Sequence, residues 1–430
     1  MSKLNARPKS AADLTILCKV VDNFGDIGFV YRLAKNLVQL NPQREIRIAV
    51  DNLAAFNKIE SRVDPSLAEQ VLEVACADSL QAQEGAGKAG NEGKPKTAAE
   101  TKSVGKPKTG GRLRIFDATN AAVCAREWTK KPARVILECF QCGRPDWLEA
   151  LLFDGVTRAL IINIDYLTAE DYAEEFHRLK SGTRSPLVRK VNFMPGFTAK
   201  TGGLILDAAA ETASKPKNAP ATENGFIAKT AGPQILMFSY PKDFAPIIRA
   251  ILRWNKAAQV NLAQGAGKES FLAANENCLQ GQKAGGLFVR ELPFLSQEEW
   301  DKNLYAQDIL FVRGEDSLSR ACLSGKPFVW QAYLQDDNYQ LVKVRALLAR
   351  MRLHFAPKDF AALENFWLLY NGAESSGKAK TAGAAMEEAC YGFLERSDKM
   401  KAGFEAFARS LFELGNFAEK LDEFVSSQEL

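Results

Sequence analysis

The segment most suggestive of chemistry is an acidic turn at residues 22–26, Asp-Asn-Phe-Gly-Asp, between a predicted strand and a predicted helix. In open α/β sheets, ligands bind beyond the carboxyl ends of the strands, where such turns lie. Many glycine-containing turns at this place bind phosphate. Two carboxylates would repel phosphate, and they suit a general base or a cationic ligand instead. The simpler alternative is that Asp22 or Asp26 only caps the helix.

A second turn, residues 313–317 (Arg-Gly-Glu-Asp-Ser), also follows a predicted strand and precedes a helix. The first-turn N–H groups of that helix, together with Arg313, predict a diphosphate site. The alternative is a helix capped by Asp316 or Ser317 with an ion pair at the surface. If the two turns face each other across a cleft, one supplies a base and the other holds an anionic leaving group. This division of labour is typical of a nucleotide-sugar glycosyltransferase.

Aromatic residues near the second turn could hold a nucleotide base. Phe294 and Trp300 could flank a flat ring while Gln297 reads its polar edge. The predicted strand end at Phe238 and Tyr240 adds a hydroxyl within reach of phosphate. An aromatic pair at this spacing could equally belong to the core.

No clear metal motif accompanies these turns. Cys139 and Cys142 form a single CxxC, but a structural zinc site usually takes four ligands, and His177 and His354 are remote in sequence. We interpret this CxxC as a turn after a strand. An arginine and a helix N-terminus can stabilise a diphosphate without a divalent ion, so we expect neither a metal ion nor a cofactor.

Short apolar runs without alternation recur between helical patterns, which is typical of strands buried on both faces of a parallel sheet. The chain of 430 residues is also too long for one ordinary core. We therefore predict an α/β protein with Rossmann-like domains at 1–207 and 233–405, joined by a linker at 208–232. A helical tail completes the chain. The predicted strands are 14–21, 46–50, 113–116, 135–137, 159–164, 235–238, 287–292, 309–312 and 327–330, and the clearest predicted helices are 27–40 and 244–254.

Four segments, 82–111, 208–232, 259–286 and 375–385, are rich in glycine, alanine and polar residues. They lack the apolar surface that offsets the entropy of ordering, so we predict flexible loops. An alternative role for their lysines is binding to RNA or ribosomes. The net charge of +4 does not by itself indicate nucleic-acid binding. Since there is neither a signal sequence nor an apolar run of membrane-spanning length, we expect a cytoplasmic protein that binds no membrane and no nucleic acid.

The sequence resembles the EarP family, the protein-arginine rhamnosyltransferases that modify elongation factor P. Five stretches carry the resemblance in the family's order. They are residues 20–28 (VVDNFGDIG), 194–203 (MPGFTAKTGG), 292–297 (LPFLSQ), 313–317 (RGEDS) and 325–330 (GKPFVW). After the last stretch, Gln331 and Leu334 stand where the family would have His and Pro.

The resemblance implies a GT-B fold of two Rossmann-like domains facing across a cleft, with a C-terminal helix, 406–430, packing on the first domain. It implies inverting transfer of L-rhamnose from dTDP-β-L-rhamnose to an arginine of elongation factor P. Asp26 resembles the general base, Asp22 its acidic companion, and Glu315 a third acidic residue tied to activity. The remaining substrate contacts implied are Asn23, Phe24 and Gly25 beside the base, Tyr240, Arg313, Asp316 and Ser317 at the diphosphate, and Phe238, Phe294, Gln297 and Trp300 at the thymine.

Two other functions stay open at this point. One is a glycosyltransferase acting on a small molecule or a lipid, although no amphipathic membrane element supports a lipid acceptor. The other is a non-catalytic nucleotide-binding or translation-associated module that uses the lysine-rich segments.

Overall fold

A computed structural model describes residues 13–21, 24–75, 111–214, 232–255, 257–279, 287–373 and 382–428. The strands are β1 Leu14–Cys18, β2 Ile46–Val50, β3 Glu69–Val74, β4 Gly111–Asp117, β5 Val135–Cys139, β6 Ala159–Ile164, β7 Lys180–Ser181, β8 Val188–Asn192, β9 Gln234–Met237, β10 Gln259–Leu262, β11 Phe288–Glu291, β12 Ile309–Arg313 and β13 Phe328–Gln331. The helices are α1 Gly25–Leu40, α2 Leu53–Ile59, α3 Ala121–Lys130, α4 Asp146–Leu152, α5 Tyr172–Phe176, α6 Ala208–Ser214, α7 Ala245–Trp254, α8 Lys268–Leu279, α9 Gln297–Ala306, α10 Glu315–Leu323, α11 Tyr339–Met351, α12 Pro357–Tyr370, α13 Ala382–Glu413 and α14 Phe417–Ser426.

The first domain is built on an eight-stranded sheet in the order β3-β4-β2-β1-β5-β6-β8-β7. The sheet is parallel except at its edges, where β3 and β7 run antiparallel to their neighbours. Every residue of β1, β2, β5 and β6 is buried, as expected for strands covered by helices on both faces. The acidic turn follows β1 in the middle of this sheet, where strand order lets a ligand approach.

The second domain contains a parallel sheet in the order β11-β10-β9-β12-β13. Its central strand is β9, which pairs with β10 on one side and β12 on the other. The segment at Phe238 and Tyr240 follows β9, and the second turn follows β12, so the two lie side by side at one sheet edge. The predicted α/β class, with two Rossmann-like domains, is confirmed.

The C-terminal helix α14 returns to the first domain, as predicted. Phe417, Leu421 and Val425 are buried within the first core, and Phe417 donates its backbone N–H to the Leu204 carbonyl at 2.9 Å. The chain, however, leaves the second domain for the first later than the predicted boundary after residue 405. Helix α13 continues to residue 413 because Phe407 and Leu411 still pack in the second core.

All four of the predicted loops overlap regular structure: β4 begins at Gly111, the last residue of 82–111, and α13 begins at Ala382, within 375–385. Within 259–286, the buried β10 and helix α8 form because Val260, Leu262 and Phe271 supply core side chains. Within 208–232, residues 208–214 form α6, which Asp207 caps by accepting the Ala210 N–H at 3.0 Å. The flexible-loop prediction is wrong for these parts. Residues 76–110, 215–231, 280–286 and 374–381 lie outside the described residues, so the prediction for them stays a prediction.

In the parts of the chain that the structure describes, no helix combines the length and apolar character needed to cross a bilayer.

Candidate active site

The two turns line one pocket in the cleft between the domains. Gly25, Asp26 and Phe29 of α1 contribute one wall, and Glu315 and Asp316 of α10 contribute the facing one. The remaining lining residues come from both domains and from the crossing segments: Arg32, Phe140, Tyr166, Leu167, Pro195, Leu204, Ile205, Ser319, Arg320 and Phe417. Carboxylates from sequence positions almost 300 residues apart therefore meet in one site.

Asp26 is held rigidly at the start of α1. Its side chain is 2% exposed, and Oδ2 accepts the Val21 backbone N–H at 2.8 Å. Its Oδ1 accepts the Tyr166 hydroxyl at 3.1 Å, and the Tyr166 ring stacks on Phe140 with centroids 4.4 Å apart. The N-cap residue of α1 is Phe24, so Asp26 belongs to the first turn and does not cap the helix. Asp22 and Asn23 lie outside the described residues, and their roles stay predictions.

The second turn leads into α10 through Gly314, which has φ of +70° and is the N-cap residue. Glycine adopts this conformation readily and has no side chain to cap the helix. The alternative in which Asp316 or Ser317 caps α10 is therefore wrong: both lie inside the first turn. Ser317 is buried, and both carboxylate oxygens of Asp316 accept hydrogen bonds from Arg32 of α1.

Arg313 is buried at the end of β12 beside the predicted base-binding residues. Its guanidinium carbon lies 4.7 Å from the Phe238 ring centroid and 4.4 Å from that of Tyr240. Phe238 also contacts Trp300 edge-on at 4.9 Å. The structure thus brings Arg313, Phe238, Tyr240 and Trp300 together as one wall of the second domain.

The departure from the family pattern at Gln331 supports this wall. Its Oε1 accepts the Tyr240 backbone N–H at 2.8 Å, which fixes the segment after β9. Leu334, the second departure, is 57% exposed.

Phe294 and Gln297 face the first domain. The Phe294 ring packs edge-on against Phe24 with centroids 4.8 Å apart. Gln297 is buried, and its Nε2 donates to the Gly28 carbonyl at 2.7 Å. Its Oε1 is buried without a hydrogen-bond partner among the described residues. Gln297 thus lies where α9 meets α1, with one acceptor left over.

Arg32, which we did not predict as a site residue, lines the pocket and belongs to a buried ion network. Three carboxylates surround it: Asp207 before α6, Asp301 in α9 and Asp316 in α10. A second buried cation, Arg320, lies 3.2 Å from Asp207. Although burial alone would raise the pKa of Asp316, the neighbouring guanidinium of Arg32 holds it below its ordinary value.

The CxxC forms a turn after β5. Phe140 and Gln141 both have positive φ, and the Cys142 N–H donates to the Cys139 carbonyl at 3.2 Å. Over the described ranges, His, Cys, Asp and Glu side chains form no cluster of three or more placed to hold a metal ion.

A family model described as the Elongation-Factor P (EF-P) rhamnosyltransferase EarP matches residues 14–89 and 111–426, which is most of the chain. The chain belongs to the EarP family. It is therefore a glycosyltransferase, and its two facing Rossmann-like domains form the GT-B fold.

Individual relatives agree with this EarP assignment. A protein-arginine rhamnosyltransferase of Pseudomonas putida is 29% identical over 376 residues, covering 85% of this chain and 88% of the relative. One of Neisseria meningitidis serogroup B is 26% identical over 425 residues, covering 96% and 97%. A solved structure described as the structural basis for EarP-mediated arginine glycosylation of translation elongation factor EF-P has a TM-score of 0.55 and 20% identity, covering 96% of this chain and 98% of its own. That structure supports the fold alone.

Tyr166 and Arg32 are the two polar residues nearest the acidic side chains of this EarP-family site that the sequence analysis did not predict. Tyr166 follows β6 and could have been found by the rule that ligands meet the carboxyl ends of parallel strands. Arg32 sits within the apolar stripe of α1, where an arginine needs a buried partner. That signal shows that partners exist but does not identify them.

Because Lys242, two residues after Tyr240, is buried, we predict that the stability of the protein depends on pH. Its Nζ donates to the Tyr370 carbonyl at 2.5 Å and lies 3.5 Å from the Tyr370 ring centroid. Burial lowers the pKa of Lys242 to about 7. The unfolded chain keeps this amine protonated to higher pH, so stability should rise as pH increases. Relative to Lys242→Met, we expect the wild-type free energy of unfolding to gain about 2 kcal/mol between pH 7 and 9.

Urea unfolding at the two pH values measures this difference. Lys358→Met, which removes an exposed lysine of α12, serves as the control. Its free energy of unfolding should change between the two pH values by the same amount as that of the wild type. If Lys242→Met also follows the wild type across this range, the lysine is not deprotonated in the folded protein.

Proposed function

We propose that this protein transfers L-rhamnose from dTDP-β-L-rhamnose to an arginine side chain of elongation factor P, with inversion at the anomeric carbon, and thereby activates that factor. The observation that carries the proposal is that a hydrogen-bonded carboxylate, Asp26, and the N-terminal end of helix α10 line one pocket of an EarP-family chain. Since the acceptor is a translation factor, the reaction would take place in the cytoplasm.

The acceptor side suits a guanidinium. An arginine side chain stays protonated at neutral pH, with a pKa above about 12, so it is a poor nucleophile until it loses a proton. Asp26 can bind the cation and accept one proton while the nitrogen attacks. Its orientation is fixed by Val21 and Tyr166, so little reorganisation is needed during transfer. Glu315, which lines the same pocket, adds a second negative charge for the cationic acceptor.

In the transfer step, a bond forms between the guanidinium nitrogen and the anomeric carbon. The bond from that carbon to the diphosphate oxygen breaks, and dTDP leaves with the electron pair. The proton released from the nitrogen passes to Asp26. Inversion requires the base and the leaving group on opposite faces of the sugar, which matches the positions of Asp26 and α10 on opposite walls.

The donor side suits a nucleoside diphosphate. Arg313 and the N-terminal turn of α10 would stabilise the leaving diphosphate, whose charge they complement without proton transfer. Phe238, Trp300 and Phe294 supply apolar surface for the thymine. The buried Oε1 of Gln297 is an unused acceptor that the imide N–H of thymine could fill. We propose that this chemistry needs no metal ion and no cofactor.

Intact-mass spectrometry of elongation factor P, incubated with the enzyme and dTDP-β-L-rhamnose, tests the proposal. We expect a mass gain of one deoxyhexose, retained when EDTA is present and lost when the acceptor arginine is replaced by lysine. Parallel incubation with UDP-glucose should give no gain. An unchanged mass with the rhamnose donor would contradict the specific reaction, and loss of transfer in EDTA would contradict metal independence.

A further inference from the structure

Arg32 uses its whole hydrogen-bonding capacity on carboxylates. Nε and Nη2 donate to the two oxygens of Asp316 at 3.0 and 3.1 Å, and Nη2 and Nη1 donate to those of Asp301 at 3.0 and 2.6 Å. Nη1 also donates to Asp207 at 2.5 Å. A guanidinium has five N–H donors, and here each of them has a carboxylate oxygen. The side chain is 2% exposed, so these contacts are shielded from water.

Arg32 and its partners come from three parts of the chain. Arg32 belongs to the first domain, Asp301 and Asp316 to the second, and Asp207 to the segment between them. One side chain therefore joins both domains and their connection. Losing one partner of such a buried pair is costly because the remaining charges are left uncompensated.

Arg32 ends a stripe on α1 that faces the second domain. Phe24, Gly28 and Arg32 are four residues apart and so share one side of the helix. Phe24 contacts Phe294, the Gly28 carbonyl accepts from Gln297, and a Cβ at Gly28 would lie 3.7 Å from Asp316. Asp26, on the same helix, faces the pocket. The contacts of this stripe with the second domain therefore set the position of Asp26 relative to α10.

The charge of Asp316 poses a problem for donor binding that Arg32 can solve. The first turn of α10 carries both Glu315 and Asp316, and uncompensated carboxylates there would repel a diphosphate. Arg32 engages both oxygens of Asp316 and offsets part of its charge, since the single guanidinium is shared with Asp301 and Asp207. The first domain thus prepares an anion site that lies in the second.

We propose that Arg32 is a positioning residue that holds the two domains closed over the cleft and, by offsetting the charge of Asp316, makes the first turn of α10 able to receive an anionic donor. This inference rests on the proposed function for the identity of the donor. The closure it describes is a property of the protein alone and can be measured without the reaction.

The variant Arg32→Met removes the five donors while keeping much of the side-chain volume. We expect a larger radius of gyration by small-angle X-ray scattering and at least about tenfold weaker dTDP binding by calorimetry, since a charge-assisted contact network is lost. The matched control is Arg44→Met. Arg44 is also buried and paired, with Asp422, but both partners pack within the first domain. Its loss should lower stability without changing closure or dTDP affinity.

A double variant separates charge compensation from packing. In Arg32→Met combined with Asp316→Asn, the repelling charge is gone, so dTDP affinity should return to within about threefold of Asp316→Asn alone. Arg32→Lys, which keeps the charge and is the fallback if Arg32→Met fails to fold, should restore closure only in part because an ammonium cannot bind two carboxylates side by side.

The inference is overturned if Arg32→Met has the same radius of gyration and the same dTDP affinity as Arg44→Met. It is also overturned if the effects of Arg32→Met and Asp316→Asn on dTDP affinity simply add in the double variant. A wild-type protein that binds no dTDP would instead contradict the proposed donor. In that case the scattering comparison still decides whether Arg32 holds the domains closed.

Discussion

Replacing Asp26 by asparagine is expected to reduce rhamnose transfer by at least about a thousandfold, the upper part of the range for a lost general base. The fold should survive, because an asparagine can accept the Val21 N–H through Oδ1 and donate through Nδ2 to the Tyr166 hydroxyl. Binding of dTDP should change less than about threefold, since the carboxylate faces the acceptor side. Single-turnover transfer to elongation factor P, measured beside dTDP titration, tests both expectations.

Asp51→Asn is a matched control for that experiment. Asp51 accepts the Val20 N–H at 2.9 Å, one residue from the contact that Asp26 makes, but does not line the pocket. Its replacement should leave the transfer rate near that of the wild type. If Asp26→Asn transfers rhamnose at the wild-type rate, the base lies elsewhere, and Asp22 becomes the first residue to replace.

Replacing Arg313 by methionine is expected to lower kcat/KM for the donor by about a hundredfold to a thousandfold, the range observed when one preorganised charge-stabilising donor is removed. Methionine can still pack between Phe238 and Tyr240, so the wall of the second domain should persist. Arg313→Lys should recover only part of the rate, because a lysine lacks the planar fork that binds two phosphate oxygens. Initial rates at varied dTDP-β-L-rhamnose concentration measure the effect.

Arg345→Met provides the control for Arg313, because Arg345 is an exposed arginine of α11 in the same domain. Its rates should equal those of the wild type. Equal donor kinetics for Arg313→Met and Arg345→Met would remove Arg313 from the diphosphate site and leave the helix N-terminus alone to stabilise the leaving group.

The site divides into contacts that local pattern predicts and contacts that it does not. The positions of Asp26 and Glu315 followed from strand–turn–helix order, because parallel strands place their carboxyl ends at one edge of a sheet. The side-chain directions of Asp316 and Gln297 did not follow. We expected both on the donor side, and in the structure each contacts α1 of the opposite domain.

The same distinction explains the errors in the loops. We predicted a loop for residues 259–286 because the range as a whole is rich in glycine, alanine and polar residues. Residues 259–262 fell within that prediction, although they contain no glycine. Between β9 and β11 they complete a sheet whose neighbours bury Val260 and Leu262. Burial supplied by partner strands outweighed the local preference.

The sequence by itself determined the α/β alternation, the two domains, the pair of turns and the family, because each depends on residues that are close together in the chain. Only the tertiary structure decided how the turns are held against each other. Arg32 meets Asp301 and Asp316 across 269 and 284 residues of sequence. Such a contact depends on how two separate cores pack and on where buried charges find partners, and neither is encoded in local spacing.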